Sequence, residues 1–227
     1  MILVSPKQLL QLGFSPKRVE FVYNSPTSSL KEYVEPNTPE GKLRLVYIGV
    51  LNKYRVKYLV KLVEILKDLP VEVIVGGFGG FEGVLKRLSQ RVPTHLKFIG
   101  KVEDSFIQGI MLDADLVISY FDPRDTFNHV VALPNKFLYS LSIGRPVLVA
   151  KGTYLAELCE RYGIGISVDI YDEESVRHLV STFKELSGNK GPLIEMGRRA
   201  LSLFNDVFSW EKVEKRYISM FNEVLLP

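Results

Sequence analysis

From residue 43 onward, short apolar runs alternate with stretches in which apolar positions recur every three or four residues. The runs L-R-L-V-Y-I (43–48), V-E-V-I-V (71–75), L-K-F-I-G (96–100), L-V-I-S-Y (116–120), P-V-L-V-A (146–150) and I-G-I-S-V (164–168) predict six strands. Between them, Leu59, Leu62, Val63, Leu66 and Leu69 place one buried stripe on a helix over 56–69. Phe81, Val84, Leu85 and Leu88 mark the next helix, and residues 105–113 a short third. Pro134, Asn135 and Lys136 open a fourth, Leu155 and Leu158 lie on a fifth, and the tail from about 173 to 226 reads as helical throughout. Gly49 is expected to end the first of these strands, and G-G-F-G-G (76–80) the second.

Strand–helix alternation at this spacing predicts an α/β domain: an open, doubly wound parallel sheet with helices on both faces. Strands covered on both faces need no polar alternation, which agrees with their near-continuous apolar character. Ligands of such sheets bind beyond the carboxyl ends of the strands, so the loops after Ile48, Val75, Ile99, Tyr120 and Val149 are where chemistry is sought. Residues 1–40 fit less well. They hold a short strand, a helix, a second strand (R-V-E-F-V-Y) and a linker with Pro and Ser, which reads as an appendage outside the main sheet.

Composition narrows the function classes only slightly. The chain has 227 residues, is 46% hydrophobic and 24% charged, and carries a net charge of +3, a balance that favours anionic ligands weakly. A nucleic-acid partner is not expected, because no basic helix with interleaved aromatics occurs. Cys159 is the single cysteine and His95, His129 and His178 are scattered, so neither a metal site nor a Cys–His nucleophile is expected. No apolar stretch approaches the roughly 20 residues of a membrane span, and M-I-L-V-S-P-K is not a signal peptide. The expectation is a soluble cytoplasmic protein without cofactor.

Three loops carry candidate chemistry. In G-V-L-N-K-Y-R-V-K (49–57), Lys53, Arg55 and Lys57 sit at or near a helix N-terminus, where free backbone N–H groups favour an anion. A solvated basic turn is the competing reading. In G-G-F-G-G, Glu82 stands where a dinucleotide fingerprint needs its third glycine, so these glycines serve either close backbone approach or turn geometry. The long loop after Tyr120 holds Asp122, Arg124, Asp125, His129, Asn135 and Lys136. Asn135 is expected to cap the following helix and His129 to lie on the surface. Lys136 is different: a cation in a helix's first turn opposes the dipole, and a bound anion would relieve that conflict.

In fixed order, V-Y-I-G-V-L-N-x-x-R, V-I-V-G-G-F-G, L-K-F-I-G-K-V, A-D-L-V-I-S-Y, P-N-K-F-L-Y-S-L-S-I-G-R-P-V-L-V-A and F-S-W-E-K-V-E-K-R-Y resemble the C-terminal, donor-binding domain of GT-B glycosyltransferases of the retaining family 4 type. The resemblance covers nearly the whole chain. It implies a Rossmann-like half of a GT-B fold with a helical C-terminal tail. Residues 1–40 would be the end of the N-terminal domain and the hinge, 41–208 the donor-binding domain, and 209–227 the helix crossing back. It implies a nucleotide-diphosphate sugar as ligand, bound by Gly49, Asn52, Lys53, Arg55, Asn135, Lys136 and Tyr139, with Gly100, Lys101 and Val102 bordering the base. It also implies an acceptor-binding N-terminal domain or a separate partner chain. A lipid-linked acceptor would bring peripheral association with the inner face of the membrane.

The departures from the family pattern are specific. Val50 replaces an arginine that follows the first glycine, and Arg55-Val56 stands for a lysine–glycine pair. Tyr139 falls where a glutamate holds the ribose, and Val131 where an earlier glutamate is expected. A tyrosine hydroxyl lacks a carboxylate's two acceptors, so a weaker donor site, an altered donor or a non-catalytic binding module are all consistent. Tyr139 either faces the ribose or packs into the core. An unrelated doubly wound nucleotide-binding protein is the third reading. On the final helix, the stretch after Trp210, an apolar face of Val213, Tyr217, Met220 and Phe221 would be left uncovered without a second domain.

Overall fold

The computed structural model describes residues 2–3, 20–27 and 29–225. The helix expected between the two N-terminal strands lies outside the described residues. Those strands, β1 (Ile2–Leu3) and β2 (Glu20–Phe21), pair with each other in parallel and stand apart from the main sheet. The main sheet comprises β3 (Leu43–Val50), β4 (Val71–Phe78), β5 (Leu96–Gly100), β6 (Leu116–Ile118), β7 (Val147–Ala150) and β8 (Gly165–Val168). Its order is β5-β4-β3-β6-β7-β8 and every pair is parallel. Chain order reverses between β3 and β6. That junction is the topological switch point at which a crevice opens beyond the strand ends.

The helices are α1 (Lys53–Leu66), α2 (Glu82–Arg91), α3 (Asp104–Leu112), α4 (Phe127–Val131), α5 (Asn135–Ser142), α6 (Tyr154–Tyr162), α7 (Glu173–Gly188), α8 (Gly191–Leu203) and α9 (Trp210–Leu225). Alternation along β3 divides the core. Leu43, Leu45 and Tyr47 face α1 and α7, packing with Leu59, Leu62, Leu179 and Phe183. Val46 faces the other way, with Met111 of α3 and Val117. Farther along that face, Phe137, Leu138 and Leu141 of α5 pack with Val147, Val149 and Phe204.

Several ends differ from the sequence expectation, each for a local reason. β3 and β4 do not stop at their glycines but run on through Gly49↔Gly77 and Val50↔Phe78. A Cβ on Gly77 would stand 1.9 Å from the Gly49 carbonyl oxygen, and one on Gly79 would stand 2.5 Å from that of Leu51. The glycine run therefore lets two backbones of this chain meet at the sheet's carboxyl edge. α1 begins at Lys53 because the Asn52 side chain caps it, accepting from the Arg55 amide at 3.0 Å. The long loop contains α4, capped by Thr126, which the sequence pattern did not show.

The tail is helical but broken. Asn189 adopts an extended backbone after Gly188, and Pro192 restarts the chain as the second residue of α8. A π-helix, Phe204–Phe208, then precedes Ser209, whose amide donates to the Phe204 carbonyl at 2.7 Å. The expectation of an uncovered face on α9 fails for Val213 and Met220, which are buried. Val213 packs with Tyr23 and Phe208, and those two rings meet edge to face at 4.9 Å. Ile218 and Phe221 do remain exposed.

The linker after β2 is strapped across the domain. The Leu30 amide donates to the Ser142 carbonyl, and the Tyr33 ring covers Gly144 and Gly197. Arg145, fully buried, donates from Nε and Nη2 to the Leu112 carbonyl and so closes the end of α3.

The contact between Gly77 and Gly49 sets a stability prediction. Gly77→Ala forces a methyl into the β3 backbone at a positive φ of 148° and is expected to cost about 1–3 kcal/mol or more. Gly80→Ala, where a Cβ would meet nothing within 4 Å, is the control. Urea denaturation checks this, and equal midpoints for both variants would contradict it.

Candidate functional site

At the switch point, β3 delivers Tyr47 and Gly49, α1 delivers Arg55, and α5 delivers Asn135, Lys136 and Tyr139. Lys136 is the unusual member. Its Nζ lies 3.2 Å from the centre of the Tyr47 ring, close to Gly49, where a Cβ would come within 3.4 Å of it. Tyr47 is itself buried, and its hydroxyl donates to the Val50 carbonyl at 2.8 Å, which fixes the ring beneath the ammonium. No carboxylate among the described residues pairs with Lys136. Burial, and next the charge of Arg55, push its pKa well below the ordinary lysine range. The ammonium is thus enclosed on its protein side while the side chain keeps part of its surface in the cleft.

Arg55 is held by uncharged groups. Its guanidinium carbon sits 3.9 Å over the Phe121 ring, and Nη1 lies 3.3 Å from His129 Nε2. His129 Nδ1 lies 2.8 Å from the Asp122 carbonyl oxygen. That carbonyl can only accept, so Nδ1 carries the proton and Nε2 accepts from Arg55. The expectation of a surface histidine is therefore overturned: His129 is buried, because α4 folds the loop inward and rings from Tyr54 and Phe121 flank it. The loop is further pinned by Asp122. Burial would raise its pKa, but hydrogen bonds from the Arg124 side chain and amide prevail and hold it below the usual carboxylate range. Arg124 Nη2 also reaches Asp169 at 2.8 Å, tying this loop to the one after β8.

A cavity of about 390 Å³ opens beside Lys136. Gly49, Asn135, Lys136 and Tyr139 line it, over an apolar floor of Ile48, Ile107 and Met111. Asp104, in the first turn of α3, also lines it. Tyr139 is half-buried at its wall, and burial raises its hydroxyl's pKa. A larger cavity, about 540 Å³, lies at the other end of the sheet around Asp115 and Lys190, which pair at 3.1 Å.

The remaining expected site residues are placed as follows. Asn52 is occupied as the cap of α1. Lys53 is exposed, with its Nζ 4.9 Å over the Tyr54 ring. Asn135 does not cap α5, since Pro134 holds that position; its Oδ1 accepts from Asn24 at 2.9 Å instead. Gly100 takes a positive φ of 70°, and Lys101 lies 5.8 Å over the Phe78 ring. Val102 fills the space that Gly76 leaves, where a Cβ would stand 2.7 Å from it. None of residues 100–102 lines the cavity at Lys136. Tyr47, Phe121, His129 and Asp104 were missed as site residues. The first two read as ordinary apolar positions, and nothing in the linear pattern distinguished them.

No family model and no curated protein matches this chain. Solved structures do match in fold. A sucrose-phosphate synthase from Thermosynechococcus elongatus superposes with a TM-score of 0.72 at 14% identity, over 99% of this chain and 58% of that one. S. aureus TarM, in a complex that includes UDP, gives 0.70 at 16% identity, over 97% and 43%. Anabaena HepE in complex with UDP gives 0.68 at 16% identity, over 98% and 63%. The chain thus spans about half the length of these structures. At such identity the likeness establishes the fold, the open Rossmann-like sheet with its helical tail.

The state of Lys136 sets a pH prediction. Its pKa is depressed in the free protein, and an anion beside it raises that pKa again. Between the two values, binding an anion takes up a proton and affinity falls as pH rises; below the lower value no proton is taken up. Calorimetric titration of inorganic pyrophosphate in buffers of different ionisation enthalpy, at stepped pH, reads this as a difference between chains, because pyrophosphate also exchanges protons of its own. Lys136→Arg, whose charge is permanent, should lose the lysine's share of the uptake. The same proton exchange in wild type and Lys136→Arg at every pH would contradict the prediction.

Proposed function

We propose that this chain is the donor-binding part of a retaining glycosyltransferase of the GT-B kind, holding the diphosphate of a nucleotide sugar between Arg55 and Lys136. The observation that carries the reading is the Lys136 ammonium: set in the first turn of α5, over Tyr47, with Arg55 near it and no carboxylate partner among the described residues. A diphosphate beside it would neutralise two cations that the fold leaves uncompensated, and the free amides of α5's first turn would add to the attraction. The fold supports the reading too, since TarM and HepE share it and were solved with UDP. Residues 100–102, on the loop after β5, would border the base.

The acceptor would be held by a second domain or partner chain. Two features support this part. The chain covers 43–63% of the structures above. Val50 and Phe78 also form an exposed apolar rim at the ends of β3 and β4, beside the cleft. On this reading residues 1–40 belong to the hinge, 41–208 to the donor domain and 209–227 to the crossover helix. The 227-residue chain alone should therefore transfer no sugar, and transfer by it would contradict the proposal.

A second reading, a non-catalytic module with the same fold, is favoured by Tyr139 and the apolar floor of the cavity, which lack the carboxylate that position 139 was expected to carry. Binding separates the two. Arg55→Ala and Lys136→Ala should each weaken nucleoside diphosphate binding by ~1.5–3 kcal/mol, the scale of a charge-assisted hydrogen bond. Tyr139→Phe should cost ~0.5–1.5 kcal/mol if its hydroxyl reaches the ribose. Calorimetry with UDP, GDP and ADP measures all three. A chain that binds none of them at millimolar concentration would favour the non-catalytic module.

A further inference from the structure

We infer that Asp104 supplies the carboxylate that grips the ribose hydroxyls of the bound nucleotide, from a different helix lining the same cavity as the position where a glutamate was expected. The inference rests on the donor-site reading above and names the residue that completes it. Four observations converge on it. Asp104 lines the cavity that Lys136 and Tyr139 also line. It is the one carboxylate there, in a site whose other charge is a cation. Its side chain is exposed and makes no hydrogen bond or ion pair with any described residue. The acidic groups that the fold uses structurally are, by contrast, engaged: Glu72 with Arg44 and Lys97, Asp115 with Lys190, Asp122 with Arg124.

Position along the cleft agrees with the chemistry. A nucleoside diphosphate is a base, a ribose with two adjacent hydroxyl donors, and an anion, in that order. The first turn of α3 follows directly in sequence on residues 100–102, the loop proposed to border the base, and Lys136, on α5, lines the same cavity as Asp104. Asp104 would then stand on the element that links the base loop to the cavity holding the phosphate cation. A carboxylate there would repel a phosphate but can accept from both ribose hydroxyls at once, which a tyrosine hydroxyl cannot do. Tyr139, which lines the same cavity, then offers its ring to the sugar's apolar face and one hydroxyl to its edge. The competing role for Asp104 is a dipole partner in the first turn of α3. That role requires neither a ligand nor a cavity.

The two roles give opposite results with one variant. The full chain is titrated with UDP, GDP and ADP; the tightest is then compared with its 2′-deoxy form and with inorganic pyrophosphate. The wild type should prefer the ribonucleotide about tenfold, one well-made charged hydrogen bond's worth. Asp104→Asn should lose about tenfold on the ribonucleotide and erase the preference, while pyrophosphate binding holds or tightens as a negative charge leaves the cleft. Asp104→Asn combined with Tyr139→Glu should recover the preference by returning a carboxylate to the cavity at position 139. An Asp104→Asn chain that keeps the full ribose preference, with only a lower melting temperature, overturns the inference and leaves the donor reading intact. A wild type that binds pyrophosphate but no nucleotide overturns both.

Discussion

The site depends on a contact between two backbones. Gly77 lies so close to the Gly49 carbonyl that no side chain fits, and this lets β3 and β4 stay paired to Val50 and Phe78. Gly49 itself, at a φ of 157° that side chains rarely adopt, stands beside the Lys136 ammonium, 3.4 Å from where its own Cβ would be. The paired glycines carry the sheet to its carboxyl edge, and a cation sits beside that edge at the switch point. A side chain at Gly77 would break the strand pairing on which that edge depends.

Charge is arranged differently around Lys136 than at several other places in the molecule. Glu72 draws Arg44 and Lys97, and Asp122 draws Arg124, which also reaches Asp169, whereas buried Arg145 is held by carbonyls. At the cleft, no carboxylate among the described residues pairs with either cation. A phenyl ring and a histidine meet Arg55, and a phenol ring underlies Lys136. Such holders fix geometry without an ion pair, so on the proposed reading the attraction for an anion is kept. The Asp122–Arg124–Asp169 bridge contributes at one remove: the Asp122 carbonyl sets the tautomer of His129, and His129 in turn positions Arg55.

Much of this was legible from the chain alone. The six strands, their parallel sheet and the principal helices between them followed from apolar periodicity, because burial on both sheet faces imposes it. Lys136 stood out because a cation in a helix's first turn conflicts with simple electrostatics. What the sequence hid were contacts across elements. Tyr47 looks like any inward residue of an apolar strand, and Phe121 like the next apolar residue after one. His129 reads as exposed until α4 turns it inward. Asn135 fails as a cap because the proline before it already takes that position, a matter of one residue in helix phase. The glycines of 76–80 left close backbone approach and turn geometry both open, because a linear pattern cannot show that the neighbouring strand's backbone lies 1.9 Å from a missing carbon.

The cavity's composition bears on how such a site changes over time. Position 139 presents an aromatic ring where a carboxylate was expected, and position 50 presents an exposed valine where an arginine was expected. On the proposed reading, these mean one acceptor fewer for a sugar and one cation fewer for a phosphate. Val131, where an earlier glutamate was expected, removes a second acidic group, so the balance of the cleft shifts towards its cations. An anion would then meet fewer but better-enclosed cations, and enclosure strengthens each interaction by lowering the local dielectric. The Tyr139 ring and the floor of Ile48, Ile107 and Met111 favour such enclosure, which a second carboxylate and its water would oppose. On the proposed reading, a tyrosine and a valine at these positions are physically compatible with a drier site in which Lys136 carries more of a bound anion's charge.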